Sequence, residues 1–365
     1  MRAGEYLVLT INPGSTSTKI AVYANEKAEM VRNLTHSDEE MDKFKGHLVL
    51  EQLDFRLAAI ERELAADKYD IKQFDAIVGR GGLMRGLPSG TYRVNEEMLS
   101  DLRLTRFGDH ASNLGAFLAQ TLARKAGAAE AFVVDPVSVD EWSDMMRISG
   151  TALVERHAGG HMLNTKAVAK RYAREQGKPY ASLRLIVSHI GSGITTSAHE
   201  NGRIIDSLEP GHEGAFSTER SGVLPLLKVI QLCFSGKYTE RTLWQALNRE
   251  GGLYSYLGTR DLREVIKRID AGDAKAKLIF DAMAYQIAKD IGAVAPSLCG
   301  KVDAILLTGG MAYSDRLVDA IRHYVEWIAP IVVYPGEDEL QAMAEGALRV
   351  LRGEEQAQEL GPEAK

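Results

Sequence analysis

Cysteine is nearly absent: only Cys233 and Cys299 occur, far apart in the chain. That excludes a disulfide framework and a zinc site of closely spaced thiolates. Long apolar runs are missing too, since no uninterrupted stretch reaches the length of a bilayer span, and no membrane partner is expected. No basic run or stripe appears, and 44 Lys and Arg stand against 50 Asp and Glu, for a net charge of −6. Nothing in that balance could neutralise a phosphate backbone, so no nucleic-acid partner is expected either. The opening residues MRAGEYLVLT enter a strand pattern at once, without the layout of a signal peptide, and a cytoplasmic protein is expected.

What is present is ordinary globular material: 365 residues, 45% hydrophobic and 26% charged, enough for two domains. Strands alternate with helices nearly throughout, which predicts an α/β fold. YLVLTI, TKIAVYA and AEMVRNLTH read as three strands, and helical patterns cover 48–66 and 96–126. DAIVGRGG and AFVVDPVS are buried strands ending in Gly or Pro, and HMLNTKAVAKRYAREQGK is a helix closed by Gly177. KVDAILLTGGM gives a later strand ending in a Gly pair, and the polar tail after Arg352 is expected to fray.

The segment RLIVSHIGSGITTSAHENGRIIDSLEP repeats the start of the chain. Asn12-Pro13-Gly14-Ser15 aligns with His189-Ile190-Gly191-Ser192, 177 residues on. In both copies an apolar strand enters a Gly/Ser/Thr turn, a β-rich strand leaves it, and a hairpin follows, at Asn25 and at Asn201-Gly202. Two similar halves are therefore expected to face each other, each presenting a hairpin loop.

Loops of this composition often hold phosphate, yet two familiar forms do not fit. In the first loop Gly14 and Lys19 have the spacing of a Walker loop, but Thr18 and Ile20 stand where Gly and Ser or Thr belong, and KIAVY continues as a strand. GSGITTSA likewise runs on into β-formers instead of opening a helix, so it is no dinucleotide fingerprint. What is left is a pair of hairpins whose tip amides and hydroxyls face an anion, with Gly309-Gly310 as a third Gly-rich strand end. Arg80 directly follows the strand DAIVG, and Arg220 lies in the Gly- and Pro-containing ERSGVLP; either guanidinium could grip a carboxylate or phosphoryl group in a bidentate way. His161 begins a helix after Gly159-Gly160, where an anion is favoured, and His189 ends the strand entering the second loop. His36, His47, His199 and His323 have no such setting and read as surface or core residues.

INPGSTSTKI, VGRGG, VVDP, SHIGSG, ERSGVLP, LLTGGM and PGEDEL follow in that order between residue 6 and about 350. In this the chain resembles the acetate and butyrate kinase family, within the actin and sugar-kinase superfamily. VGRGG, the Pro of NPGST and the short chain are more similar to the butyrate than to the acetate branch. The resemblance implies two duplicated ribonuclease-H-like, actin-like ATPase domains around a central cleft that closes on its substrates. Residues 1–137 with 340–365 would form the carboxylate side and 138–339 the nucleotide side. It implies reversible phosphoryl transfer from ATP to a short-chain carboxylate, with ATP/ADP and Mg²⁺ as cofactors and a homodimer or larger assembly.

By the same resemblance, Arg80 and Arg220 match the family's substrate and phosphoryl clamps and His161 its phosphoryl-stabilising histidine. Asn12 matches the contact to the transferred group, Asp135 the residue orienting arginine and metal shell, and His110 a substrate-side histidine. The metal-associated glutamate falls in PGEDEL, at Glu339 with Glu337 as the alternative. Gly14, Ser15, Lys19, His189, Gly191, Ser192, Gly193, Gly309 and Gly310 are assigned to the nucleotide, with Arg260 flanking the adenine. Ser192 departs from the acetate kinase pattern, which has Asn there. Gly82 and Gly160 stand where acetate kinases carry Val and Phe, and their missing side chains are expected to open room for a four- or five-carbon acid. An acetate or propionate kinase and a phosphohydrolase of the superfamily stay open as alternatives. The paired arginines fit an anionic acceptor better than water.

Overall fold

The structure, a computed structural model, describes residues 5–211 and 213–362. Among them the strands are, in chain order, β1 (Leu7–Pro13), β2 (Ser17–Ala24), β3 (Lys27–Thr35), β4 (Ala76–Arg80), β5 (Thr91–Arg93) and β6 (Glu130–Val134). Then come β7 (Leu185–Ile190), β8 (Ile194–Glu200), β9 (Arg203–Leu208), β10 (Ala304–Gly309), β11 (Ile331–Pro335) and β12 (Gln358–Glu359). The chain divides into two compact units, one running to Asp140 and resuming at Asp338, the other from Glu141 to Glu337. Against the expected second lobe of 138–339, residues 138–140 and 338–339 lie in the first unit. Val139 bridges to Leu87, Asp140 N–H donates to the Leu87 carbonyl at 2.9 Å, and Glu339 opens a helix packed on β1, β4 and β6.

Each unit is built on one mixed sheet. The first has the order β12-β5-β6-β4-β1-β2-β3 and the second β11-β10-β7-β8-β9. Stripped of the edge strands β5 and β12, the two share one plan. Three antiparallel strands are joined by hairpins, and two more lie parallel to the first of them. The repeat extends to detail: β2–β3 slips register between Val22 and Tyr23, β8–β9 between Ala198 and His199. Asn25 and Asn201 turn the two hairpins at φ 51° and 53°, a conformation Asn tolerates better than other residues with a β-carbon.

Alternation along the strands sets the layers. In the first unit Leu9, Ile11, Ile20 and Val22 meet Leu57 and Ile60 of helix Leu53–Ala66 and Leu114, Leu118 and Leu122 of helix Leu114–Ala126. In the second, Ile186, Ile190, Ile305 and Leu307 pack under helices Ala274–Val294 and Asp315–Val325, while Leu185, Val187 and Leu306 face helix Met162–Glu175.

Two expectations need correction. The pattern over 96–126 is not one helix: Glu96–Arg103 and Leu114–Ala126 are separated by a segment in which Thr105 has φ 47° and Gly108 φ 120°. The tail after Arg352 does not fray at once, because Gln358–Glu359 pairs with β5 and Leu360 is buried; residues 363–365 lie outside the described residues.

Helix Ala274–Val294 also anchors the loop that bears Arg220. Asp290 on it is buried and accepts the Ala215 N–H at 2.6 Å, and burial pushes its carboxyl up to about 7. A native pKa above the unfolded value gives stability that is complete below about pH 4 and lost as pH rises through 7. Asp290→Asn should therefore flatten the fall of Tm between pH 4 and 8 relative to the unmodified protein, as read by calorimetry, and the two curves should diverge in that window.

Candidate active site

In the first unit three side chains converge at the carboxyl ends of neighbouring parallel strands. Asn12 is the penultimate residue of β1, Arg80 closes β4, and Glu339 is the first residue of helix Glu339–Leu351. Asn12 Nδ2 donates to Glu339 Oε2 at 2.6 Å, and Arg80 Nη2 lies 3.3 Å from Glu339 Oε1. Arg80 is 5% exposed, yet its Nη1 has no hydrogen-bond partner among the described residues. A buried donor left unbonded costs free energy until an acceptor arrives, and a carboxylate is an acceptor of the right charge. Asp135, past the end of β6, has φ 37°; its Oδ1 accepts from Ser89 Oγ at 2.7 Å and the Gly90 N–H at 2.8 Å. His110 is exposed, and its Nδ1 accepts the Ser112 N–H at 3.2 Å, which leaves the ring proton on Nε2.

The second unit holds a pair of histidines. His161, just before helix Met162–Glu175, stacks on His189 at the end of β7, with ring centroids 3.9 Å apart and planes within 10°. Thr195 on β8 fixes the first: its Oγ1 accepts the His161 backbone N–H at 3.3 Å and lies 2.8 Å from Nδ1. Asn164 Oδ1 holds His189 Nδ1 at 2.8 Å. His189 Nε2 is 3.1 Å from Glu337 Oε1 but out of line for a hydrogen bond. Ser217 Oγ donates to the Ser192 carbonyl and ties the Arg220 loop to the second hairpin. Arg220 Nε is another buried donor without a partner among the described residues, and burial followed by Arg249 lowers the pKa of this guanidinium.

A cavity of about 950 Å³ opens in the same unit, lined in part by Gly191, Ser192, Arg260, Gly310 and Glu337. Four residues of the nucleotide set therefore share one space. Gly193, His189 and Gly309 are not in its lining, nor are Gly14, Ser15 and Lys19, which belong to the first unit. Gly309 (φ 92°) instead packs on β7, where a β-carbon would stand 2.5 Å from the Ile190 carbonyl. Arg260 lies 3.8 Å from the Tyr254 ring and 3.2 Å from Glu219. Thr218, Asp261, Met311 and Tyr313 also line the cavity, and the sequence pattern does not single them out. Among the described residues no three His, Cys, Asp or Glu side chains form a ready metal cage.

The acyl-room expectation fails at both glycines. A β-carbon on Gly82 would lie 2.5 Å from Asn113 Oδ1 and 2.8 Å from Leu102, and one on Gly160 (φ 118°) 2.6 Å from Thr195 Oγ1. Neighbouring side chains already fill the volume that the missing ones would vacate.

Comparison with known proteins agrees with this arrangement. Residues 149–324 match the acetokinase family. Butyrate kinase 2 of Clostridium acetobutylicum is 49% identical over 97% of this chain and 99% of its own, and butyrate kinase 1 of that organism 47% identical over 97% and 99%. The crystal structure of acetate kinase from Porphyromonas gingivalis superposes with a TM-score of 0.76 at 19% identity, covering 95% of this chain and all of that one. The chain belongs to the acetokinase family, and it shares its fold with that acetate kinase structure. It is a kinase that uses ATP to phosphorylate the carboxyl group of a short-chain fatty acid.

Two glycines should behave in opposite ways on substitution. Gly82→Ala should lower stability by about 1–3 kcal/mol through collision with Asn113, with no change in the ranking of acids by chain length. At Gly310 a β-carbon meets nothing within 4 Å and would enter the cavity. Gly310→Val should leave Tm nearly unchanged and raise KM for ATP roughly tenfold or more. Calorimetry and steady-state kinetics check both.

Proposed function

We propose that this chain phosphorylates butyrate or a branched four- to five-carbon acid, reversibly, by direct in-line transfer. The observation that carries the reading is the buried, unbonded Nη1 of Arg80 beside Asn12 and Glu339, a donor that a substrate carboxylate would satisfy. Its relatives that are named butyrate kinases favour the longer acids. A carboxylate is ionised at neutral pH, so the acceptor needs no general base. What it needs is relief from repulsion by the triphosphate. A carboxylate oxygen attacks the γ-phosphorus, the bond to the bridging oxygen of ADP breaks, and no proton has to move.

In this reading Arg80 holds the acid, His110 lies on the substrate side, and Asn12 contacts the phosphoryl group in transit. Asp135 supports the turn at Ser89-Gly90 and through it the acceptor side. With the Thr195 hydroxyl donating to Nδ1, His161 offers Nε2–H to a phosphoryl oxygen, and Arg220 spends its spare donor on the same group. The nucleotide lies along Gly191, Ser192 and Gly310 with Arg260 at its base. Mg²⁺ would accompany it, held mostly by phosphate and water, with Glu339 as the carboxylate and Glu337 as the alternative; their oxygen donors suit a hard cation. Bound there, it would neutralise phosphate charge. The enzyme would be cytoplasmic and a homodimer or larger, and the exposed Leu226, Leu227, Ile230 and Phe234 offer an apolar surface for self-association.

Incubation with ATP, hydroxylamine and acids of two to six carbons tests the reading, because an acyl phosphate is trapped as a hydroxamate. An optimum at four or five carbons is expected, and an optimum at acetate would overturn the chain-length assignment. Release of free phosphate without hydroxamate would point to a phosphohydrolase. Arg80→Ala and Arg220→Ala should each reduce kcat/KM by about a hundredfold or more.

A further inference from the structure

The first hairpin loop rests on a cation that no other part of the site accounts for. Arg56, on helix Leu53–Ala66, is fully buried. Its Nη1 donates to the Ser17 carbonyl (2.8 Å) and Thr18 Oγ1 (2.9 Å), and its Nη2 to the Ser15 carbonyl (3.2 Å) and Gln52 Oε1 (2.8 Å). Nε donates to the same Gln52 oxygen at 3.0 Å, so all five N–H groups are used. Every one of these acceptors is neutral. Burial alone, with no opposing carboxylate, pulls this guanidinium down to about 10. Thr18, having accepted from Arg56, has its own hydroxyl hydrogen for His36 Nε2 at 2.9 Å. The ring is thereby kept neutral, in line with a pKa lowered by burial and by Arg56.

The consequence for the loop is directional. Arg56 draws the carbonyls of Ser15 and Ser17 inward, and the Thr16 carbonyl accepts the His36 N–H at 2.9 Å. Gly14 N–H closes the turn on the Ser17 carbonyl at 2.8 Å. The N–H groups of Ser15 and Thr16 have no partner among the described residues, and both residues are exposed. A turn with its carbonyls tied down and its amides free is a concave donor surface for an anion. A whole positive charge sits directly behind it, shielded from water and bonded to no carboxylate among the described residues.

We propose that Arg56 is a positioning residue for phosphoryl transfer: it shapes the Gly14–Ser17 loop into an anion-binding turn and supplies the unneutralised charge that draws the phosphoryl group to it. This rests on the transfer reading above. It does not require Arg56 to touch a substrate.

Shape and charge can be separated at Gln52, which accepts two bonds from Arg56. Gln52→Glu keeps both acceptors and the loop geometry but cancels the charge. The expected result is a Tm equal to or above that of the unmodified enzyme, with kcat for hydroxamate formation lowered roughly tenfold. ADP affinity by calorimetry should stay unchanged, because the nucleotide cavity is lined by the second unit. Arg56→Lys, which keeps the charge and loses the fork, should lower both kcat and Tm, and Arg56→Gln should lower kcat by about a hundredfold. If Gln52→Glu raises Tm and leaves kcat intact, Arg56 is a structural staple only and the charge proposal is overturned. If the Arg56 variants do not fold, Gln52→Glu still decides. If the unmodified enzyme itself forms no hydroxamate with any acid, the transfer reading fails first, and that outcome is distinct from a variant-specific loss.

Discussion

Positive charge held out of water is the constraint on which the rest of this protein depends. A buried cation costs several kcal/mol unless paired, and arginine cannot escape by losing its proton. Three arginines accept that cost here to different degrees. Arg80 has Glu339 beside it but keeps one donor unspent. Arg220 is desolvated, crowded by Arg249, and likewise has an unbonded Nε. Arg56 has spent every donor and no part of its charge. Each environment is electrostatically unfinished in a way that an anion completes. An enzyme that must gather a carboxylate and a triphosphate gains transition-state stabilisation from such preorganisation and gives up some stability for it.

The duplicated fold explains where these groups sit. In each unit the first and fourth strands of the shared plan are parallel neighbours, and the candidate site residues lie at their carboxyl ends. In the first unit those ends are Asn12 and Arg80; in the second they are His189 and the Gly309-Gly310 pair. One copy presents side chains that grip. The other presents an imidazole and a bare backbone, which suits a ligand that must lie close to the chain. In the proposed function the same scaffold positions serve an acceptor side in one unit and a donor side in the other.

Much of this was legible in the chain. Strand–loop–strand patterns at both loops, with Asn25 and Asn201 at the following turns, were enough to expose the repeat, because hairpin chemistry is local. Arg80, Asn12 and His161 could be singled out because they end strands or begin a helix. Contacts between segments distant in sequence were not legible. Nothing in the sequence tells that Asn113 fills the volume beside Gly82 or that Thr195 fills it beside Gly160. Arg56 is one of several charged residues on helix Leu53–Ala66, and no motif singles it out. Its contacts are visible only once the helix places it under a loop some forty residues earlier. The edge strands β5 and β12, of three and two residues, are too short to leave a period.

The stacked histidines limit how the phosphoryl side can be charged. Two imidazolium rings 3.9 Å apart would repel by about 4 kcal/mol at the effective dielectric of a protein surface, so charging both rings at once is disfavoured. Asn164 Oδ1 faces His189 Nδ1, and the Glu337 carboxylate stands 3.1 Å from its Nε2. His161 Nδ1 faces the Thr195 hydroxyl. A neutral ring can donate one hydrogen bond to a moving phosphoryl group without passing it a proton. That suits a transfer in which the attacking oxygen arrives ionised and the departing ADP leaves as an anion.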